Sequence, residues 1–183
     1  MQRCLQLAAK GMGHVTPNPM VGCVLVRNNE IIAEGCHQQF GGPHAEVNAI
    51  NAVGGEHVEF LQECTLYVNL EPCSHHGKTP PCADLILSYQ IPKVVIGSYD
   101  PNPLVAGMGI QKLLTGGVEV ITEVLKQECD FLNRRFITFH TKKRPYIVLK
   151  WAQSADAFMA LNEPRQVWLS GKEAQHLTHR WRS

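Results

Sequence analysis

Apolar positions recur along the chain with two different periods, and the switches between them mark its elements. "CLQLAAKGMG" (residues 4–13) has the three-and-four spacing of a helix and ends at glycines able to cap it. "TPNP" (16–19) breaks the chain. "VGCVLVRNNEIIAEGCH" (21–37) then reads as two strands about Asn28-Asn29, a turn pair that tolerates positive φ. "HAEVNAINAV" (44–53) is a short helix stopped by Gly54-Gly55. A β-rich run "CTLYVNLEP" (64–72) and a helix "CADLILSYQ" (82–90) follow, then strand and loop in "KVVIGSYDPNP" (93–103). The series closes with a helix "GIQKLLTGG" (109–117), a strand "VEVITE" (118–123) and one longer helix over 124–143.

Beyond the opening hairpin, strands and helices alternate, which argues a parallel sheet covered by helices. The expected fold is a three-layer α/β/α domain over residues 1–143, with a mixed, largely parallel central sheet. "TKKRP" (141–145) is a basic hinge that ends in proline. Past it, "YIVLKWAQS" (146–154) is expected to be a strand and "GKEAQHLTHRW" (171–181) a helix. Residues 144–183 thus resemble the opening of a second domain, near the size below which a chain cannot bury enough surface to fold alone.

Composition narrows the function. An apolar fraction of 44% supports a packed core, and 17 basic against 16 acidic residues leave no basic stripe of the kind that tracks a phosphate backbone. A small-molecule substrate is expected, not nucleic acid. No apolar run approaches the ~18–20 residues of a membrane span, so no membrane partner is expected either. Seven scattered cysteines with no secretory leader suit a reduced, cytoplasmic protein. Most of these cysteines sit in apolar segments as small core residues.

Cys73 and Cys82 differ in their company. "GGPHAEVNA" (41–49) and "EPCSHHGKTPPCAD" (71–84) together give H-x-E…P-C-x₈-C. One imidazole (His44) and two thiolates (Cys73, Cys82) form a three-ligand set for Zn²⁺ that leaves a fourth tetrahedral position for water. Both segments open helices, where partial positive charge favours thiolates. Zinc lowers the pKa of its water toward ~7, and a neighbouring carboxylate such as Glu46 can accept that proton and return it. On a helix, an offset of two residues (about 200°) puts His44 and Glu46 on different faces, yet in a first turn both could reach one water. The alternative is a structural site with four protein ligands, for which His75, His76, Cys36 or Cys64 could supply the fourth.

The ligand set and the non-ligand Glu resemble the zinc nucleobase deaminases. Their usual C-x₂-C is replaced here by C-x₈-C, and on that departure the chain resembles the bifunctional riboflavin biosynthesis deaminase–reductases of the RibD type. The runs that carry this resemblance are "TPNPMVGCV", "GCHQQFGGPHAEVNA", "LYVNLEPCSHHGKTPPCAD" and "GSYDPNPLVAGMGIQKL". "RPYIVLKWAQSADAFMA" (144–160) resembles the opening strand of that family's NADPH-dependent reductase domain.

The resemblance implies one zinc ion per chain on His44, Cys73 and Cys82, with Glu46 as proton shuttle. It implies deamination of 2,5-diamino-6-ribosylamino-4(3H)-pyrimidinone 5′-phosphate in riboflavin synthesis, and a family tendency to form homo-oligomers. His75 and Lys78 match positions that hold the ribosyl phosphate, and a lysine in a Gly-containing loop suits that task as a flexible point charge. A lone lysine is otherwise a solvated surface charge. Asn18 matches a pyrimidine-binding residue, since a carboxamide both donates and accepts; its plain reading is a turn residue between prolines. His37, Asp100 and Asn102 rest on the resemblance, "DPNP" alone being an ordinary turn. Gln153, Trp168 and Arg182 match nucleotide- or substrate-contacting positions of the reductase. There the family's S-L-D-G is replaced by "SADA" (154–157). The part present is too short for a working reductase, so NADPH is expected only for an intact one. His14, His57 and His140 are expected at the surface.

Overall fold

The computed structural model describes the chain except residues 76–79, 103–105, 161, 163–164, 166 and 183. The chain divides into two compact units, Met1–Tyr146 and Ile147–Ser183.

In the first unit, β1 (Gly22–Arg27) and β2 (Glu30–Cys36) form the expected hairpin. Its turn residues Asn28 and Asn29 both have positive φ, 51° and 64°, the geometry whose twist matches that of paired strands. With β3 (Thr65–Leu70), β4 (Lys93–Ser98) and β5 (Glu119–Ile121) the hairpin builds a five-stranded sheet of order β2-β1-β3-β4-β5. β1 runs antiparallel to both β2 and β3, while β3, β4 and β5 are parallel. The parallel strands are linked by crossover helices α3 (Cys82–Ser88) and α4 (Met108–Thr115), as parallel pairing requires.

Strand alternation sorts the core into two layers. Cys23 and Leu25 of β1, Leu66 and Val68 of β3, and Val94 and Ile96 of β4 pack with Ala45, Ala49 and Ile50 of α2 (Ala45–Ala52), Ala83 and Ile86 of α3, and Ile110 and Leu113 of α4. On the other face Val24 and Cys36 meet Cys4 and Leu7 of α1 (Gln2–Ala8). There too Gly97 of β4 abuts Cys129 of α5 (Lys126–Leu132), where an added Cβ would stand 2.3 Å from the sulfur. The unit is therefore the expected three-layer α/β/α arrangement.

Two expectations fail. The single long helix over 124–143 is two helices, α5 and α6 (Arg134–Lys142), broken at Asn133 with φ −96° and ψ 18°. Asn133 is 3% exposed and spends its carboxamide on a distant backbone, so a tertiary contact overrides helix continuity. The strand expected over 146–154 does not form either: these residues pair with no other segment as a strand, and the described residues of the second unit offer no strand to pair with them. Ile147, Val148, Leu149 and Trp151 stand exposed. The expected helix near the end is present as α7 (Lys172–Arg182).

Candidate metal centre and substrate cavity

His44, Cys73 and Cys82 arrive from three directions. His44 is the N-cap residue of α2, in extended conformation (φ −72°, ψ 164°). The helix is seated so that His44 meets Cys73 and Cys82. Gly35 of β2 allows this, because a Cβ there would lie 2.3 Å from the Ala49 nitrogen and 2.4 Å from the Ala45 oxygen. Asn48 Nδ2 donates to the Cys36 carbonyl (2.8 Å) and ties the same helix to the end of β2. Cys73 follows the C-terminal end of β3, and Cys82 is the first residue of α3. This lies beyond the carboxyl ends of parallel strands, where open α/β sheets bind ligands.

The three ligand atoms lie within 4.8 Å of one another. His44 Nδ1 stands 3.6 Å from Cys73 Sγ and 3.3 Å from Cys82 Sγ. Bond lengths of ~2.0 Å to nitrogen and ~2.3 Å to sulfur place the edges of a tetrahedral zinc site at about 3.5 Å, so the donor set fits that ion in type and spacing. Among the described residues no fourth histidine, cysteine or carboxylate joins the cluster. Cys36 and Cys64 are buried core residues, and the Cys64 thiol donates to the Phe60 carbonyl (3.1 Å). His76 lies outside the described residues. Among the described residues the set is three protein ligands, the number found in catalytic sites.

Electrostatics agree. The Cys73 thiol is held well below the ordinary thiol range, first by the hydrogen bond from the Cys82 thiol and further by His44 and the Cys82 backbone N–H. Cys82 is driven up by the same partnership, then by burial. The two thiols together surrender one proton readily and resist losing the second, as like charges at contact must. A dication between them removes that resistance. Glu46 is 3% exposed, and its carboxyl is raised by desolvation and by the Cys73 charge.

A cavity of about 200 Å³ opens over this centre. Its lining includes His44, Glu46 and Cys73 together with Asn18, His37, His75, Asp100 and Asn102. The cavity lining thus includes every residue expected of the deaminase part except Cys82, which is buried in the cluster beside His44, and Lys78, which lies outside the described residues. His37 Nδ1 donates to the Pro43 carbonyl (2.9 Å), so its Nε2 accepts from Asn18 Nδ2 (3.1 Å). That hydrogen bond leaves Asn18 Oδ1 as the acceptor available to a ligand. Asp100 Oδ1 accepts the Asn102 N–H (2.8 Å), and burial raises the Asp100 carboxyl to about 6. His14 and His57 are exposed as expected, and His140 is half-buried.

Three residues that shape this site were not foreseen from sequence. Asn69 Oδ1 accepts the Gly22 N–H (2.7 Å) and its Nδ2 donates to the Met20 carbonyl (3.1 Å). Asn133 Oδ1 accepts the Met20 N–H (2.8 Å) and its Nδ2 donates to the same carbonyl (2.9 Å). Together they anchor the segment that carries Asn18. Phe136, one turn after Asn133, contributes an aromatic wall to the cavity. The only local signal was a carboxamide inside the apolar strand "LYVNL", a polar group that burial obliges to find partners.

The reductase residues are not gathered. Within the second unit a separate cavity of about 310 Å³ is lined by Ser154, Asp156, Phe158, Ala160, Asn162, Val167 and Leu169, and by none of Gln153, Trp168 or Arg182. Gln153 accepts from Trp151 Nε1 (3.1 Å), Trp168 is 69% exposed and Arg182 ends α7. Ala157, at the last position of "SADA", has φ +69°, the left-handed conformation in which glycine is at ease.

Comparison with known proteins agrees with this geometry. Residues 1–98 match the family model of the cytidine and deoxycytidylate deaminase zinc-binding region. The chain is 49% identical over 175 residues to the riboflavin biosynthesis protein RibD of Actinobacillus pleuropneumoniae, covering 96% of this chain and 46% of that protein. A solved diaminohydroxyphosphoribosylaminopyrimidine deaminase/5-amino-6-(5-phosphoribosylamino)uracil reductase from Thermotoga maritima superposes with a TM-score of 0.91 at 46% identity, over 98% of this chain and 51% of that one. RibD of Acinetobacter baumannii gives 0.90 at 41%, over 99% and 50%. The chain therefore spans about half the length of the relatives it matches.

Proposed function

The chain belongs to the cytidine and deoxycytidylate deaminase zinc-binding family, and from that membership we propose that it hydrolytically deaminates 2,5-diamino-6-ribosylamino-4(3H)-pyrimidinone 5′-phosphate to 5-amino-6-ribosylamino-2,4-pyrimidinedione 5′-phosphate. The observation that carries the reading is a three-ligand cluster of His44, Cys73 and Cys82 beneath a cavity also lined by Glu46 and Asn18. Similarity to the Thermotoga maritima diaminohydroxyphosphoribosylaminopyrimidine deaminase/reductase supports the choice of substrate.

His44, Cys73 and Cys82 would hold a zinc ion, which when bound would supply a water acidified enough to be a nucleophile near pH 7. The chain's own residues do the rest. Asn18 Oδ1, oriented through His37, accepts from an N–H of the heterocycle and sets the face presented to the centre. Glu46 takes a proton from the attacking water, delivers it to the ring nitrogen beside the reacting carbon, and carries a second to the departing amine. The C–N bond breaks, a C–O bond forms, and one water is consumed for each ammonia released. Burial raises the basicity of Glu46 toward the range useful for such shuttling. A cavity of about 200 Å³ takes the ring, with Asp100 and Asn102 in its wall, leaving the ribosyl phosphate to His75 and Lys78.

Residues 147–183 are taken as part of a reductase region, and no NADPH-dependent turnover is proposed for them, given the scattered positions of Gln153, Trp168 and Arg182. The seven free cysteines suit a reducing, cytoplasmic setting, and among the described residues no helix is long and apolar enough to cross a membrane. Ammonia release from the diaminopyrimidinone phosphate, measured with zinc-loaded protein, is the test. A folded, metal-replete sample that releases none refutes the proposal. Lys78→Ala should chiefly raise KM for this substrate and leave that for its dephosphorylated form unchanged.

A further inference from the structure

Glu71 lies two residues before Cys73, is 4% exposed, and is joined to no lysine or arginine by the ion pairs among the described residues. Its charge is met by backbone amides instead. Oε1 accepts from Gly109 (3.0 Å) and Ile110 (3.3 Å), and Oε2 from Gly107 (3.0 Å) and Asp100 (3.2 Å). Its own N–H donates to the Ser98 carbonyl (2.9 Å). One carboxylate thus links the segment after β3, which carries a zinc ligand, to both ends of the connection between β4 and α4. That connection carries Asp100 and Asn102 into the cavity wall. The approach is close: a Cβ on Gly109 would stand 2.0 Å from the Pro72 carbonyl oxygen. Ordinary helix capping needs one or two side-chain acceptors near the first turn. Here two of the four donors, Asp100 and Gly107, precede α4, so the contact fixes a loop as well as a helix end.

We propose that Glu71 is a positioning residue for substrate binding, setting the distance between the Cys73 segment and the Asp100–Asn102 wall that receives the substrate. The role rests on the deamination reading above. It acts on affinity, since Glu71 neither ligates the metal nor relays the proton.

Glu71→Gln is the test. The amide keeps the length of the side chain but replaces one acceptor oxygen with a donor, leaving two of the four amides unpaired. Amide exchange across 98–110, bound zinc, KM and kcat are read well below the unfolding temperature. Expected are exchange at Asp100, Gly107, Gly109 and Ile110 faster by tenfold or more, about one zinc per chain, KM up about tenfold and kcat within about twofold. A lowered melting temperature with unchanged KM makes Glu71 a plain helix cap and overturns the role; so does loss of zinc with kcat. If Glu71→Gln does not fold, Gly109→Ala disturbs the same seat through the Pro72 carbonyl and should raise KM in the same way. A wild type that releases no ammonia overturns the reaction and this role together. An active wild type with an unchanged KM in both variants overturns this role alone.

Discussion

Asn69 and Asn133 share one acceptor, and that sharing has a measurable consequence. The Met20 carbonyl takes hydrogen bonds from both carboxamides, at 3.1 and 2.9 Å. Asn133→Ala leaves the Met20 N–H without its partner but leaves the carbonyl one donor. Removing a partner from a buried polar group costs ~1–3 kcal/mol; Met20 is only partly buried, so about 1–2 kcal/mol is expected. Asn69→Ala strands the Gly22 N–H, whose hydrogen bond is fully buried, at about 2–3 kcal/mol. In the double variant the carbonyl loses its last donor, a cost absent from either single change. The double loss should therefore exceed the sum of the singles by about 1 kcal/mol. Urea unfolding of all four proteins at one fixed concentration of free zinc measures this, because bound metal adds its own stabilisation. Additivity within ~0.3 kcal/mol, or coupling of the opposite sign, would refute the shared-carbonyl account. Because Asn18 lies two residues from Met20, each single variant should also raise KM.

Two further outcomes follow from the site. Glu46→Gln should retain its zinc by metal analysis and lose ~10²–10⁴ of kcat, the usual share of a general acid–base group; near-normal turnover would remove Glu46 from proton transfer. Asp100, raised by burial from its ordinary 3.8 to about 6, binds its proton more tightly folded than unfolded, so its contribution to stability falls as pH rises from about 4 through 6. Asp100→Asn, which can still accept the Asn102 N–H, should exceed wild type in stability by about 1–2 kcal/mol at pH 8 and converge with it below pH 4. A stability difference independent of pH would contradict the shift.

The sequence disclosed those features whose causes are local. Asn28-Asn29 announces a hairpin because few residues accept two consecutive positive φ values, and both angles are present. H-x-E and P-C-x₈-C announce a metal centre because ligand chemistry restricts residue type, and the three donors converge. Asn133 shows the limit. Its partner, Met20, is 113 residues away, so nothing in "FLNRR" reveals that the helix must break to deliver a carboxamide. Residues 146–154 show another limit: an apolar run has strand propensity, but a strand needs a neighbour for its backbone groups. Ala157 adopts φ +69° where the family motif has glycine. That left-handed conformation is itself a reason for glycine at this position.

The way this site is held follows from what it must do. A cavity that binds a polar heterocycle beside a metal cannot be lined by aliphatic side chains alone, so the loops that form it need polar as well as apolar contacts to hold them. Each loop is pinned by a polar side chain reaching its backbone: the buried Asn69 and Asn133 hold the Asn18 segment, the buried Glu71 the Asp100–Asn102 segment, and the half-buried Asn48 the end of β2 beside His37. Hydrogen bonds suit this task because they are directional and costly to leave unmade, whereas apolar contacts tolerate sliding. Substitutions at these pins should therefore reach substrate affinity before zinc content, because His44 and Cys82 stand on α2 and α3, whose Ala45, Ala49, Ala83 and Ile86 belong to the core itself.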